Sequence, residues 1–206
     1  STHCISSAAS DVYKRQGKYT AIETDAKIDC SSMIKGILYI GTDRGVWVLV
    51  GNTPFPLQGA EDLASKRIRG IIPYKSGVLV VTAYNGLFYC DGRTMEPFVT
   101  GAEDFMRENE VFCVAAKNDQ IALGTIHKGL ILIDCKTMKL KYFNENNGLH
   151  NNTVLSVAFD TFGNLWAGLD SGIDYVCLTS PFTNLYSYPY SYGCLLYTSD
   201  AADDMQ

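Results

Sequence analysis

Gly45, Gly86, Gly129 and Gly172 fall 41, 43 and 43 residues apart, and each closes a polar turn between two short apolar runs. The four units are GILYIGTDRGVWVLV from Gly36, GVLVVTAYNGLFYCD from Gly77, QIALGTIHKGLILID from Gln120 and GNLWAGLDSGIDYVC from Gly163. A further apolar segment precedes each pair: KIDCSSMI from Lys27, IRGIIPY from Ile68, VFCVAA from Val111 and VLSVAF from Val154. The segments TPFPL, EPFVT and KLKYF follow the first three pairs and suit a pleated, half-buried surface. A lone four-stranded meander leaves its faces bare and its edge strands unpaired, and radial packing of repeated sheets covers them. Four strands in roughly 40 to 45 residues is the length of a propeller blade. The expected fold is therefore all-β, a β-propeller fragment of about four four-stranded blades in an incomplete ring. Equal repeats argue against a β-sandwich, and a solenoid repeats at a shorter period. Helical composition is confined to Ala60 to Lys66 and Ala102 to Glu108, each too short to organise a core.

The two ends read differently. Residues 6–16, SSAASDVYKRQ, match a forward translation of the transposase adaptor used in sequencing libraries, and residues 194–204, CLLYTSDAADD, match its reverse complement. Such segments are set aside before the fold is argued. The expected division is 1–16 adaptor-derived or non-native, 17–180 propeller blades, 181–193 the start of a next blade or an inter-propeller junction, and 194–206 adaptor-derived or non-native. In a piece cut at both ends, the lack of a signal peptide or membrane-length apolar stretch carries no information.

Composition places the chain among packed globular proteins, with 47% hydrophobic and 19% charged residues. Its formal charge of −5 gives no reason to expect contact with nucleic acid. Cys30, Cys90, Cys113, Cys135 and Cys177 form no CxxC pair and have no histidine at ligand spacing, so they read as small buried hydrophobes rather than a zinc site. No metal and no cofactor is expected.

The segment NNGLHNNTVLSVAFDTFGNLWAGLDSGIDYV, Asn146 to Val176, resembles the two-component regulator propeller repeat: GL, an Asn-rich turn, an apolar strand, Asp, a G-N-L-W turn, then G-L with a following glycine. The preceding unit, with VFCVAA, ALGTIHKGLILID and KYFNENNGL, also looks like an interior blade of that family, and GIDYVCLTSPFTNLY is similar to the junction of its tandem propellers. The resemblance weakens in the first two blades. Two departures stand out: Thr82 where the other blades have Gly41, Gly124 and Gly168, and one extra turn residue across Ile126 to Lys128.

The resemblance implies the periplasmic sensor region of a hybrid two-component histidine kinase of glycan-degrading gut bacteria. It implies an inner-membrane-anchored protein, homodimeric at full length, that binds an oligosaccharide or other small ligand. Its partners would include the remaining blades and downstream sensor domains. A propeller enzyme, lyase or glycoside-active, and a protein-interaction scaffold are the alternatives.

No Ser-His-Asp or Cys-His grouping can be argued from the scattered histidines, so no catalytic residue is expected. The pairs Glu61 and Asp62, Glu103 and Asp104, and Glu108 and Glu110 read as solvated faces. Trp47 and Trp166 alternate with apolar residues inside strands and read as packing between adjacent sheets. In a propeller, the turn between the second and third strands and the connection into the next blade share the face around the axis, where a rigid scaffold positions ligand-contacting loops. The candidate ligand-binding residues are therefore Asp43, Arg44, Tyr84, Asn85, His127, Lys128, Asp170 and Ser171 in the turns, with His150, Asn151 and Asn152 in the connection.

Overall fold

The computed structural model describes residues 10–15, 18–23 and 26–179. The stretches read as 181–193 and 194–206 lie outside the described residues. Strands β1 (Ser10–Arg15) and β2 (Lys18–Glu23) pair as an antiparallel hairpin, β1 falling within the segment read as adaptor-derived.

The repeat folds as four consecutive antiparallel sheets. The first blade is β3 (Ile28–Ile34), β4 (Ile37–Thr42), β5 (Gly45–Val50) and β6 (Thr53–Pro56). The second is β7 (Ile68–Tyr74), β8 (Gly77–Thr82), β9 (Leu87–Cys90) and β10 (Met95–Phe98). Helix α1 (Glu103–Glu108) then leads into β11 (Val111–Lys117), β12 (Gln120–Thr125), β13 (Leu130–Asp134) and β14 (Lys139–Phe143). The fourth blade holds three strands among the described residues, β15 (Val154–Phe159), β16 (Leu165–Leu169) and β17 (Ile173–Val176). Each sheet is a meander in chain order. The first strand of every blade packs beside the first strand of the next, β3 on β7, β7 on β11 and β11 on β15, so these four strands line the axis of an open arc.

The core lies between sheets. Ile121, Leu123, Ile131 and Ile133 of the third blade pack against Leu79, Val81 and Leu87 of the second, while Ala122, Leu130 and Leu132 pack against Leu165, Ala167 and Leu169 of the fourth. Both faces of β13 are thus buried, which explains the unbroken apolar run LILI. Each fully buried Leu or Ile contributes about 1.5–3 kcal/mol.

Blade four presents its other face to solvent. Trp166 is 47% exposed and lies against Tyr175 with ring centroids 4.8 Å apart, and Ile173 is 72% exposed. Trp166 therefore departs from the expectation of packing between sheets. It alternates with the buried Leu165 and Ala167, but its face has no neighbouring sheet among the described residues. Trp47 is only half-buried.

The register also revises the alignment of blade two. Every first strand carries a bulge, at Ile28/Cys30, Ile68/Gly70, Val111/Cys113 and Val154/Ser156. Beyond it, Cys30 faces Gly41, Cys113 faces Gly124 and Ser156 faces Gly168, whereas in blade two Gly70 faces Val81. Thr82 is therefore not a substituted glycine. It matches Thr42 and Thr125: the three hydroxyls donate to the carbonyls of Gly86, Gly45 and Gly129 at 2.8, 2.9 and 2.7 Å and accept from Asn85, Arg44 and Lys128 N–H. Blade two shares the extra turn residue with blade three, since three residues separate Thr82 from Gly86 and Thr125 from Gly129.

The segment Ala60 to Lys66 contains only the 3₁₀ turn Glu61–Leu63, whereas α1 forms within Ala102 to Glu108. Glu103 is not a solvated-face residue: its carboxylate accepts from the backbone N–H groups of Thr100, at 2.6 Å, and Gly101, at 2.9 Å.

Candidate ligand site at the mouth of the axis

One backbone hydrogen bond per blade ties the turn after the second strand to the residue preceding the bulged strand entry. Asp43 N–H donates to Lys27, Ala83 to Arg67, Ile126 to Glu110 and Asp170 to Thr153. These bonds hold the turns and the strand entries at the same end of the axis. The bulge residues Asp29, Arg69, Phe112 and Leu155 follow at equivalent positions, and a bulge re-aims a side chain that regular alternation would direct elsewhere.

Three blades converge there in one ionic cluster. Arg67 binds Asp29 in a bidentate pair, Nε to Oδ2 at 2.8 Å and Nη2 to Oδ1 at 3.1 Å. Arg69 lies between the carboxylates, with Nη1 3.8 Å from Asp29 Oδ1 and Nη2 donating to Glu110 Oε1. Tyr84 OH donates to Glu110 Oε2 at 2.9 Å. The Phe112 ring packs 5.0 Å from the Arg69 guanidinium carbon. Asp29 and Arg69 side chains are only 5% and 8% exposed, while Arg67 and Glu110 reach 38% and 25%. Arg69 Nε is buried and has no hydrogen-bond partner.

The electrostatics follow from this packing. Burial pushes the Glu110 carboxyl upward, but hydrogen bonds from Arg69 and Tyr84 and the charges of Arg69 and Arg67 outweigh it and hold it below the usual carboxylate range. The hydrogen bond to Asp29 raises Arg67, against a smaller opposing effect of burial. Hydrogen bonding to Glu110 raises the Tyr84 hydroxyl, with burial adding to it. The cluster pairs two guanidinium groups with two carboxylates. Below it, a groove of about 350 Å³ runs between the four first strands, lined by Cys30, Arg69, Ile71, Cys113, Val114 and Ser156 among others.

Of the residues expected at the site, Tyr84 enters this cluster directly. Asp43 instead latches its own blade, accepting from Lys27 N–H at 3.1 Å. Arg44, Asn85 and Lys128 have their N–H groups bound to the turn threonines, and His127 and Lys128 side chains are exposed. Asn151 accepts from Thr153 N–H, and Asn152 exchanges hydrogen bonds with Glu145, so both shape the connection. His150 is held by Asp174, which accepts from its N–H at 2.8 Å and lies 2.6 Å from Nδ1. Asp170 and Ser171 are exposed turn residues.

Sequence reasoning missed Asp29, Arg67, Arg69 and Phe112 and assigned Glu110 to a solvated face. Glu110, at the entry to blade three, instead accepts from Arg69 and Tyr84 of blade two. The available signal was a charged residue inside an apolar strand pattern, IRGIIPY and KIDCSSMI, at a recurring offset.

Comparison with solved structures shows the fold. The chain superposes on the extracellular domain of BT4673 from B. thetaiotaomicron, described as a hybrid two-component system, with TM-score 0.61 and 19% identity, covering 81% of this chain and 21% of that one. It superposes on the extracellular domain of BT3049, of the same organism and description, with TM-score 0.58 and 17% identity, covering 84% and 26%. The Neurospora crassa Pan2 WD40 domain matches with TM-score 0.50 and 11% identity, over 77% and 49%. The chain spans about a fifth to a quarter of the two bacterial domains. No family model matches the chain, and no curated protein matches its sequence.

Proposed function

We propose that this chain is a ligand-sensing propeller segment of a two-component signalling sensor and that it recognises an oligosaccharide at the mouth of the axis. The observation that carries the reading is the convergence of Asp29, Arg69, Glu110 and Tyr84 from three blades onto one half-buried polar cluster. Partly exposed guanidinium donors and carboxylate acceptors, positioned by packed strands, are what hydroxyl-rich ligands require. The likeness to the extracellular domains of BT4673 and BT3049 supports the sensing role, as does the motif from Asn146 to Val176. On this reading the segment is periplasmic and belongs to a membrane-anchored protein. Among the described residues no helix is long and apolar enough to cross a membrane.

The state of the carboxylate argues against one catalytic role, that of a general acid. A general acid needs a raised pKa, and Glu110 is held low by Arg69 and Tyr84. Signalling requires that ligand bind the two states of the sensor with different affinity. Autophosphorylation of the full-length protein in lipid vesicles, measured with a panel of oligosaccharides, tests the proposal. A rate that changes with one saccharide class supports it, and a rate indifferent to all of them overturns it.

A further inference from the structure

The charges at the mouth are already matched within the protein. Arg67 is committed to Asp29 through two nitrogens, and Arg69 is shared between Asp29 and Glu110. An anionic ligand reaching either guanidinium would meet a carboxylate fixed at hydrogen-bond distance from it. Displacing Asp29 would leave a buried carboxylate unpaired, which is strongly unfavourable, and displacing Glu110 would break its bonds to Arg69 and Tyr84. A hydroxyl group meets no such barrier, because it can accept from Arg67 and donate to the remaining lone pairs of Glu110 while the ion pairs stay closed. Phe112 and Tyr84, at 37% and 45% exposure, add aromatic surface beside the polar groups.

Resting on the oligosaccharide reading above, we infer that the mouth selects neutral saccharides and discriminates against those bearing carboxylate or sulfate groups. The self-neutralised Asp29–Arg67–Arg69–Glu110 cluster is the selectivity device. Tyr84 sits at its exposed edge as a hydrogen-bonding contact.

Isothermal titration calorimetry of the protein with neutral β-linked hexose and pentose oligomers, and with uronate and sulfated oligomers, tests this. Binding confined to the neutral panel is expected. Tyr84→Phe, which removes one exposed hydroxyl, weakens that binding about three- to tenfold, and Lys141→Ala on the outer strand leaves it unchanged. Glu110→Gln, with folding checked by circular dichroism, leaves the cluster one positive charge in excess and shifts preference toward the anionic panel. Equal or tighter wild-type binding of the anionic oligomers overturns the charge selectivity while leaving the sensing role standing. Neutral binding indifferent to both Tyr84→Phe and Glu110→Gln overturns the assignment to this cluster. Binding of neither panel removes the oligosaccharide reading itself, and this inference with it.

Discussion

Gly70 faces Val81 across the β7–β8 ladder, inverting the size order of the pairs Cys30–Gly41, Cys113–Gly124 and Ser156–Gly168. In those three pairs the side chain opposite occupies the space that a Cβ on the glycine would need. A Cβ added at Gly41 would lie 2.5 Å from Cys30 Sγ and 2.7 Å from Ile68 Cγ2, and one added at Gly124 would lie 2.5 Å from Cys113 Sγ. At Gly70 the obstacle is Val114, at 2.9 Å. Close approach of the next blade's first strand thus leaves no room for a side chain at Gly41, Gly70 and Gly124.

Gly41→Ala is accordingly expected to destabilise the fold by about 1–3 kcal/mol through overpacking. Adding Cys30→Gly removes the nearer obstacle but leaves Ile68, so the double variant recovers only part of the loss. Urea unfolding of the four species closes the cycle. Strictly additive costs for the two substitutions would show that the pair does not share this space.

Acid weakens the mouth through Glu110. The folded Glu110 carboxyl lies below its ordinary value of 4.5, so its stabilising contribution is fully present above that pH and is lost as pH falls through the folded value. Glu110→Gln lacks that titration. Its urea midpoint is therefore expected to fall less steeply than wild type between about pH 5 and pH 3. Parallel curves for the two proteins would contradict the assignment.

Thiol chemistry separates Cys177 from the blade interiors. Burial, with Asp119 and Asp134 nearby, pushes the Cys135 thiol up to about 11, and burial also raises Cys90. Cys30 and Cys113 are buried with their sulfurs directed at the carbonyls of Ile68 and Val154, whereas Cys177 is exposed. Since the thiolate is the reacting species, brief alkylation of the native protein at pH 8 followed by peptide mapping should label Cys177 well before Cys30, Cys90, Cys113 and Cys135. Early labelling of Cys135 would mean that the interface between blades two and three opens readily.

The fold was legible because its determinants are local and repeated. Each turn glycine follows a polar pair, and blades two and three bury both faces of their middle strands against like neighbours, which writes LILI and VLVV as unbroken apolar runs. The site was only partly legible, because its partners are distant in sequence and the residue type at the repeated bulge position changes from blade to blade. Arg67 and Asp29 lie 38 residues apart, and Arg69 and Glu110 lie 41 apart. The bulge at Ile68/Gly70 breaks the alternation from which the direction of Arg69 would have been read. Asp174 was equally hidden: it stands where the other blades carry Trp47, Phe88 and Ile131, and only the folded connection brings His150 to it. Tyr84 was found because turn position alone places it at the mouth.

Amide hydrogen–deuterium exchange with and without a saturating neutral oligosaccharide examines most directly whether distant segments form one ligand surface. Protection should appear together in peptides spanning 27–31, 67–70, 83–86 and 110–113, and not in the turns at the opposite end of the blades around 35–36, 75–76 and 118–119. Protection confined to the opposite turns, or to the exposed face carrying Trp166 and Tyr175, would contradict binding at the mouth.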